Sequence, residues 1–327
     1  MQTILITGGT GFIGSNLAAS LVSQGYHVKI LRRKLSSTQL VDHLDIEHCT
    51  GDVRDNASLH AAMKDCDTVF HTAAVVSFWK SLRQMQYDVN VIGTKNVAQA
   101  CLETGVKRLV YTSSIAALGH PTSGALADES TPFNWKHLHS GYKASKHLAE
   151  IEIESAVDRG LDAVMINPTV IIGPGDIHFH GGSIIRSVQR GLVPFYIKGG
   201  MNVVYVDDVV NVHVDAAEKG RTGERYIAGG ENLTHKQIFQ TTAEILGKRP
   251  PRLKIPVPLL KLAAGGFDIA ASILRTQPLI STELISGAGL YNWYSSAKAE
   301  RELGYRPTPF REAVEKTCQW YREHKLL

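Results

Sequence analysis

The sequence predicts an α/β protein: a doubly wound parallel sheet covered by helices on both faces, carrying a smaller C-terminal lobe. Three observations predict it. Short apolar runs alternate with stretches of helical periodicity through the first half of the chain, as strands buried on both faces and their crossover helices do. A glycine-rich turn directly follows the first of those runs. After Asn167 the alternation loosens, and glycine and proline turns punctuate the chain.

Taken in order, Thr3 to Thr7 is a short buried strand and Phe12 to Ser23 has helical periodicity. Tyr26 to Leu31, Ile46 to Cys49 and Thr68 to His71 read as the next three strands. Ser81 to Thr104 reads as one long helix, Arg108 to Thr112 as the fifth strand, Gly141 to Arg159 as a helix and Asp162 to Ile166 as the sixth strand. Gly173-Pro174-Gly175 and Gly181-Gly182 then mark loops. Val203 to Val206 returns as a strand and Asp207 to Lys219 as a helix. Thr234, with Gln237 three residues on, is a capping-box start for a helix through Leu246. Pro250, Pro251, Pro256 and Pro258 precede an apolar helical stretch, Leu259 to Leu274. It reads as a helix that packs between domains, in preference to a membrane-touching or lid helix. Arg311 to Glu323 is the closing helix. There is no internal repeat and no low-complexity tract.

Composition removes several function classes. The 327 residues are enough for a large core without disulfide or metal staples, and 43% hydrophobic with 20% charged residues fits an ordered globular chain. Thirty-five lysines and arginines against 31 aspartates and glutamates leave a net charge of +4. That excess is too small to indicate a nucleic-acid partner. The four cysteines, Cys49, Cys66, Cys101 and Cys318, form no CxxC pair, so a reducing, cytoplasmic setting is expected. The opening MQTILITGGTGFIG lacks the basic flank and long apolar run of a signal peptide. No stretch reaches the ~18 unbroken apolar residues of a membrane span.

The turn Thr7-Gly8-Gly9-Thr10-Gly11-Phe12-Ile13-Gly14 lies between a strand and a helix. Glycines there permit a tight turn and close backbone approach to a pyrophosphate, and Phe12 and Ile13 open a helix whose N-terminus is an anion site. The end of the second strand reads Arg32-Arg33-Lys34, with no carboxylate where an acid would bind the adenosine ribose of NAD. An arginine there accommodates a 2′-phosphate, so NADP is favoured over NAD. Asp52, with Val53 after the third strand, is placed to hydrogen-bond adenine. Ala73 and Ala74, in His71-Thr72-Ala73-Ala74, are small enough to line the cofactor.

Tyr142-Lys143-Ala144-Ser145-Lys146 puts Tyr142 and Lys146 on one helix face. A free tyrosine has pKa ~10, and a nearby ammonium favours the phenolate. Upstream, the fifth strand runs into Thr112, Ser113 and Ser114, at the sheet edge where doubly wound folds bind ligands.

The segments TGGTGFIG, HTAA, DVNVIGTKNV, YTSSIAALG, YKASK and INPTVIIGPGD together resemble the extended short-chain dehydrogenase/reductase superfamily, also called the NAD-dependent epimerase/dehydratase family. VYVDDVV, GERYIAGG and SSAKAERELGYRP extend the resemblance over nearly the whole chain. It implies a Rossmann-type domain over residues 1–170, with 203–228 returning to it. A substrate-binding lobe is expected over 171–202 and 229–327, and a homodimer joined through long helices. Carried over by position, Tyr142 is the proton donor or acceptor, Lys146 lowers its pKa and holds the nicotinamide ribose, and Ser114 hydrogen-bonds the reacting oxygen, with Ser113 the alternative. Gly8, Gly11 and Gly14 hold the pyrophosphate, Pro168, Thr169 and Val170 are further cofactor-binding residues, and Asn90 serves helix geometry in preference to a proton relay.

Departures from the family pattern bear on the reaction. Sugar dehydratases of the superfamily carry Thr-Asp-Glu where this chain has Ser114, Ile115 and Ala116. Nucleotide-sugar epimerases carry R-x-x-N where this chain has Asn167 and Val170, and an arginine where it has Met201. The segment NPTVIIGP resembles the dihydroflavonol reductase branch. The lobe resembles bacterial proteins labelled dihydroflavonol-reductase-like or hopanoid-associated sugar epimerases. The expectation is therefore an NADP(H)-dependent reductase of a ketone or aldehyde. A nucleotide-sugar epimerase and a non-catalytic dinucleotide-binding protein are the alternatives. Asp176, His178 and His180 alternate in one loop and read as pocket lining or a solvated loop in preference to a metal site. Arg186 and Arg190 share a helix face and read equally as substrate contacts or exposed charges.

Overall fold

Thr3–Thr7 forms the central strand, β1, of a computed structural model that describes residues 2–121, 125–135, 140–274, 276 and 281–327. The chain runs on through α1 (Phe12–Ser23), β2 (His27–Arg32), β3 (Glu47–Thr50), α2 (Asn56–Met63) and β4 (Thr68–His71). A 3-10 turn (Lys80–Leu82), α3 (Arg83–Gln86), a π-helical turn (Tyr87–Ile92) and α4 (Gly93–Thr104) lead to β5 (Arg108–Thr112). A second 3-10 turn (Ile115–Ala117) precedes α5 (Gly141–Asp158) and β6 (Ala163–Pro168). The remaining elements are β7 (Val170–Ile172), α6 (Ser183–Gln189), β8 (Phe195–Tyr196), β9 (Gly200–Tyr205), α7 (Val206–Lys219), β10 (Arg225–Ala228) and β11 (Glu231–Thr234). These are followed by α8 (His235–Leu246), β12 (Leu253–Lys254), α9 (Val257–Leu274), β13 (Tyr291–Asn292), α10 (Ala297–Leu303) and α11 (Phe310–Glu323).

Among the described residues the main sheet has seven strands in the order β10-β6-β5-β4-β1-β2-β3, all parallel. Successive side chains of a strand face opposite ways. Ile4 and Ile6 of β1 accordingly pack with Leu17 and Leu21 of α1 and with Val209 and Val212 of α7. Leu5 packs on the other side with Leu59 of α2, Val97 of α4 and Ile153 of α5. Strand order reverses between β1 and β4. The crevice at their carboxyl ends is where such sheets take ligands.

In the lobe, β9 pairs with β7 and β13 in parallel and with β11 antiparallel. The strand expected over Val203 to Val206 therefore starts earlier, because β11 supplies hydrogen-bond partners from Gly200 onward. This strand sits in the smaller sheet, while α7 and β10 return to the main one.

Two expectations are corrected. The single helix over Ser81 to Thr104 is a composite broken by the π-helical turn. There Asn90 faces the loop after β4, and Gly93 passes so close to Val53 that a Cβ would lie 2.7 Å from its Cγ2. The apolar helix α9 does not pack between domains. Only Ala264 and Ala271 are buried, because its neighbours cover just that narrow stripe.

Candidate active site

A cavity of ≈1070 Å³ opens at the carboxyl ends of the sheet strands and is closed on the far side by the lobe. Its sheet-side end is the glycine turn. Gly8 has φ +73°, and a Cβ there would lie 2.7 Å from Ala73 Cα. A Cβ on Gly14 would overlap the Gly8 carbonyl oxygen, a close approach that only glycine allows. The Gly11 N–H donates to Gly8 O at 2.9 Å, and α1 begins with no side-chain cap. Its first-turn N–H groups are therefore left for a ligand, and Gly11, Phe12, Ile13 and Gly14 line the cavity. The turn fits a dinucleotide pyrophosphate.

At the end of β2 the two arginines diverge. Arg33 lines the cavity with Ser36, Ser37 and Leu40. Arg32 does not line it. Its Nε donates to His48 Nδ1 at 3.1 Å, so of the two expected cofactor contacts only Arg33 faces the cavity, as the alternation along an extended chain allows. Asp52 and Val53 also stand outside the cavity lining. The Asp52 carboxylate takes Arg54 Nε and Nη2 at 2.9 and 2.8 Å. Those hydrogen bonds hold it below the usual range against the opposing effect of burial. Val53 is buried beneath Gly93. Ala74 lines the cavity, whereas Ala73 backs the glycine turn. Thr112, Ser113, Pro168, Thr169 and Val170 line it too. Asn90 is structural in its contacts: Oδ1 accepts from Val75 N at 2.7 Å, and Nδ2 donates to Val75 O and to Ser145 Oγ.

Ser114, Tyr142 and Lys146 meet where β5 and α5 face the cavity. Ser114 begins the 3-10 turn after β5, its Oγ accepting from Ala116 N at 3.1 Å. It also hydrogen-bonds the Tyr142 hydroxyl, which favours the phenolate, although burial is the larger influence and raises the tyrosine above its ordinary value. One turn on, Lys146 Nζ donates to Thr112 O at 2.7 Å and to Tyr111 Oη at 3.3 Å. Burial pushes this ammonium down to about 7, with Glu150 acting in the opposite sense. Ser113 and Ser114 are distinguished by their partners: Ser113 Oγ donates to Glu150 Oε1 at 2.5 Å.

Several residues escaped the sequence reading. Glu150 is fully buried and gathers Ser113, Asn167 Nδ2 at 2.6 Å and Arg225 Nε at 2.8 Å. Its place four residues after Lys146, continuing the Tyr142–Lys146 spacing, was the available signal. Glu283 caps α5 from the lobe, accepting from Gly141 N at 2.8 Å, Ser140 Oγ at 3.1 Å and Arg83 Nη2 at 2.8 Å. Nothing in its local sequence points to α5, 142 residues away. Lys143 lies 3.2 Å from the Trp135 ring centroid, and both line the cavity beside Tyr142. Burial lowers Lys143 to about 8 against the field of Glu283.

The loop after β7 is held by Asp176, whose Oδ1 accepts from His180 N and Oδ2 from Gly182 N at 2.8 and 2.9 Å. His178 and His180 line the cavity. Arg186 lies 4.5 Å from the Phe179 ring instead of facing the cavity. Val170 and Met201 line the cavity, while Asn167 Nδ2 donates to Ser114 O at 3.0 Å and braces the serine turn.

Comparison with known proteins agrees with this geometry. Residues 4–229 match the model of the NAD dependent epimerase/dehydratase family. A Synechocystis protein named provisionally as a dihydroflavonol 4-reductase is 35% identical over 98% of this chain and 94% of its own. Sterol demethylase protein B of Methylococcus capsulatus is 33% identical over the full length of both. The crystal structure of gox2253 superposes with a TM-score of 0.88 at 35% identity, covering both chains completely.

Proposed function

This chain belongs to the NAD-dependent epimerase/dehydratase family and is an NAD(P)-dependent oxidoreductase of the extended short-chain dehydrogenase/reductase type, and on that premise we propose that it is an NADP(H)-dependent reductase of an apolar ketone or aldehyde. The observation that carries the proposal is one cavity with two ends. Arg33 and two serines stand at one end without a carboxylate, and most of the side chains of the lobe wall beyond Tyr142 are hydrocarbon.

The bound nicotinamide supplies the hydride, and the glycine turn, Arg33 and Lys146 are the residues that would hold the dinucleotide. The chain's own work is on the oxygen. Ser114 Oγ and the Tyr142 hydroxyl converge on the position of a substrate carbonyl oxygen, and the Tyr142 proton moves to that oxygen as negative charge develops. The Lys146 ammonium favours the phenolate left behind. Glu150 keeps Ser113 out of this exchange by accepting its hydrogen bond, which leaves Ser114 as the serine directed at the reacting oxygen.

The reductase reading is preferred to an epimerase because a nucleotide diphosphate needs donors. Val170 and Met201 present none, and the Asn167 amide is engaged by Ser114 O and Glu150. The names of the two relatives point the same way, since flavonoids and sterols are largely apolar. We also propose a homodimer through α5 and the π-helical turn that leads into α4, where Leu148, Ile151 and Tyr87 are exposed.

The test is NADPH oxidation across a panel of apolar and aromatic ketones and aldehydes, alongside calorimetry with UDP-, GDP- and dTDP-sugars. Consumption of NADPH with members of the panel and no sugar-nucleotide binding is expected. Tight binding of a sugar nucleotide, with epimer interconversion and no NADPH loss, overturns the reading.

A further inference from the structure

Helix α9 (Val257–Leu274) has its polarity inverted. A surface helix ordinarily turns its apolar stripe inward and its charges outward. Here the inward stripe is small, with Ala264 and Ala271 buried, while Leu259, Leu262, Ile269 and Ile273 are 56–76% exposed. These four, with Gly266, recur at steps of three and four residues, so they share the face opposite the body of the protein. Phe267 and Leu274 flank it and are also exposed. By length and composition the helix is apolar enough to cross a membrane. It is nevertheless anchored lengthwise: Asp268 accepts from Thr282 N and Thr282 Oγ1, and Leu260 faces the cavity.

Exposed hydrocarbon recurs on β8 and β12 and at the cavity. Leu253 of β12, 68% exposed, pairs with Phe195 of β8, and Phe195, Leu192 and Leu284 are exposed residues of the cavity lining. A second observation identifies what covers this surface. Between Glu244 and Asp268 the chain carries Lys248, Arg249, Arg252, Lys254 and Lys261 and no acidic residue. All five are exposed, and none has an ion-pair partner among the described residues. A segment that joins exposed hydrocarbon to unpaired cations, with no acid between them, matches an anionic bilayer, which offers acyl chains below a layer of negative headgroups. A second copy of the chain would bring the same five cations against themselves.

We propose that α9 lies in the surface of an anionic membrane, its face of Leu259, Leu262, Ile269 and Ile273 buried among acyl chains, and that the cavity mouth at Leu192, Phe195 and Leu284 opens toward the lipid. The docking rests on neither the cofactor preference nor the reaction. It adds a route by which an apolar substrate reaches Tyr142 without crossing water.

The experiment is flotation of the purified full chain with phosphatidylcholine vesicles, with and without phosphatidylglycerol. Leu262→Glu/Ile269→Glu/Ile273→Glu and Arg252→Glu/Lys254→Glu are run in parallel. NADPH binding and thermal midpoint report folding, and sedimentation reports oligomeric state. Expected is binding to the phosphatidylglycerol vesicles, lowered at least tenfold by either variant, with NADPH affinity unchanged. Absence of wild-type binding overturns the proposal, as does undiminished binding by the apolar-face variant. A wild-type oligomer that the apolar-face variant dissociates, with no flotation, also overturns it and assigns the face to a second copy. Because NADPH binding is read separately, failure here leaves the reductase reading intact, and failure of the reductase reading leaves this result interpretable.

Discussion

The sheet side of the cavity and the lobe side are built in opposite ways. On the sheet side the polar groups are tied to one another: Ser113 to Glu150, Lys146 to Thr112 O, Asn90 to Val75 and Ser145, and Thr7 through His71 to Thr94. His71 is fully buried, and burial holds it neutral, its value lowered to about 3. On the lobe side Leu192, Val193, Ile197, Leu260 and Leu284 present hydrocarbon to the same space. A proton transfer needs groups fixed to fractions of an ångström, whereas an apolar substrate is selected by area and shape. On the proposed reading the reaction falls to one wall and the choice of substrate to the other.

The largest expected effect is on the sheet side. Tyr142→Phe keeps the ring and removes the transferable proton, so turnover falls by roughly 10²–10⁴-fold. NADPH affinity, measured by calorimetry, stays near the wild-type value. Gly14→Ala comes next, because its methyl overlaps the Gly8 carbonyl oxygen and pushes α1 away from the turn. NADPH affinity falls by about 10²-fold, the scale of a misplaced binding group. An unchanged dissociation constant would mean that the turn is not the cofactor cradle.

The two arginines after β2 sharpen the account of the adenosine end. On the proposed NADP(H) reading, Arg33→Asp removes a charge-assisted contact to the 2′-phosphate. At about 1.5–3 kcal/mol this raises the NADPH dissociation constant roughly tenfold to a hundredfold and shifts preference toward NADH. Arg32→Asp, at a side chain bonded to His48, leaves the ratio of the two constants nearly as it was. Equal effects at both positions would erase the distinction.

Smaller still is the pH effect. Lys146 carries its charge below about pH 7 and loses it above, whereas Tyr142 stays protonated throughout the neutral range. The kcat/KM for reduction is therefore level in acid and falls above about pH 7, approaching tenfold per unit. Stability runs the other way. An unfolded lysine, with pKa ~10.4, still binds its proton between about pH 7 and 10 when the folded one does not. The folded state thus gains from this group as pH rises through that window and loses the gain as pH falls through 7. Lys146→Met removes both trends, which paired rate and melting profiles would show.

The sheet side was legible in the sequence because its constraints are local. Gly8 and Gly14 answer to a turn of eight residues, and Tyr142 and Lys146 to one helical turn. Arg32 and Arg33 could not be told apart, because the sequence locates the end of a strand but not which way its last side chains turn. Glu283 was missed because it reaches α5 only through the fold, and the π-helical turn at Tyr87–Ile92 because helical periodicity runs on across it. Helix α9 was read as packing between domains because an apolar sequence announces burial in something without saying whether protein supplies it. Here the described neighbours cover two alanines.

The division of labour is tested most directly by separating kcat from KM in one substrate series. With the best carbonyl substrate of the panel, NADPH oxidation is followed in wild type, Tyr142→Phe and Leu192→Ser. Tyr142→Phe is predicted to lose kcat by at least about 10²-fold with KM little changed. Leu192→Ser, at an exposed hydrocarbon of the lobe wall, is predicted to raise KM by about tenfold with kcat within a factor of about two. The account is contradicted if Tyr142→Phe turns over at the wild-type rate, or if Leu192→Ser loses kcat while its KM holds.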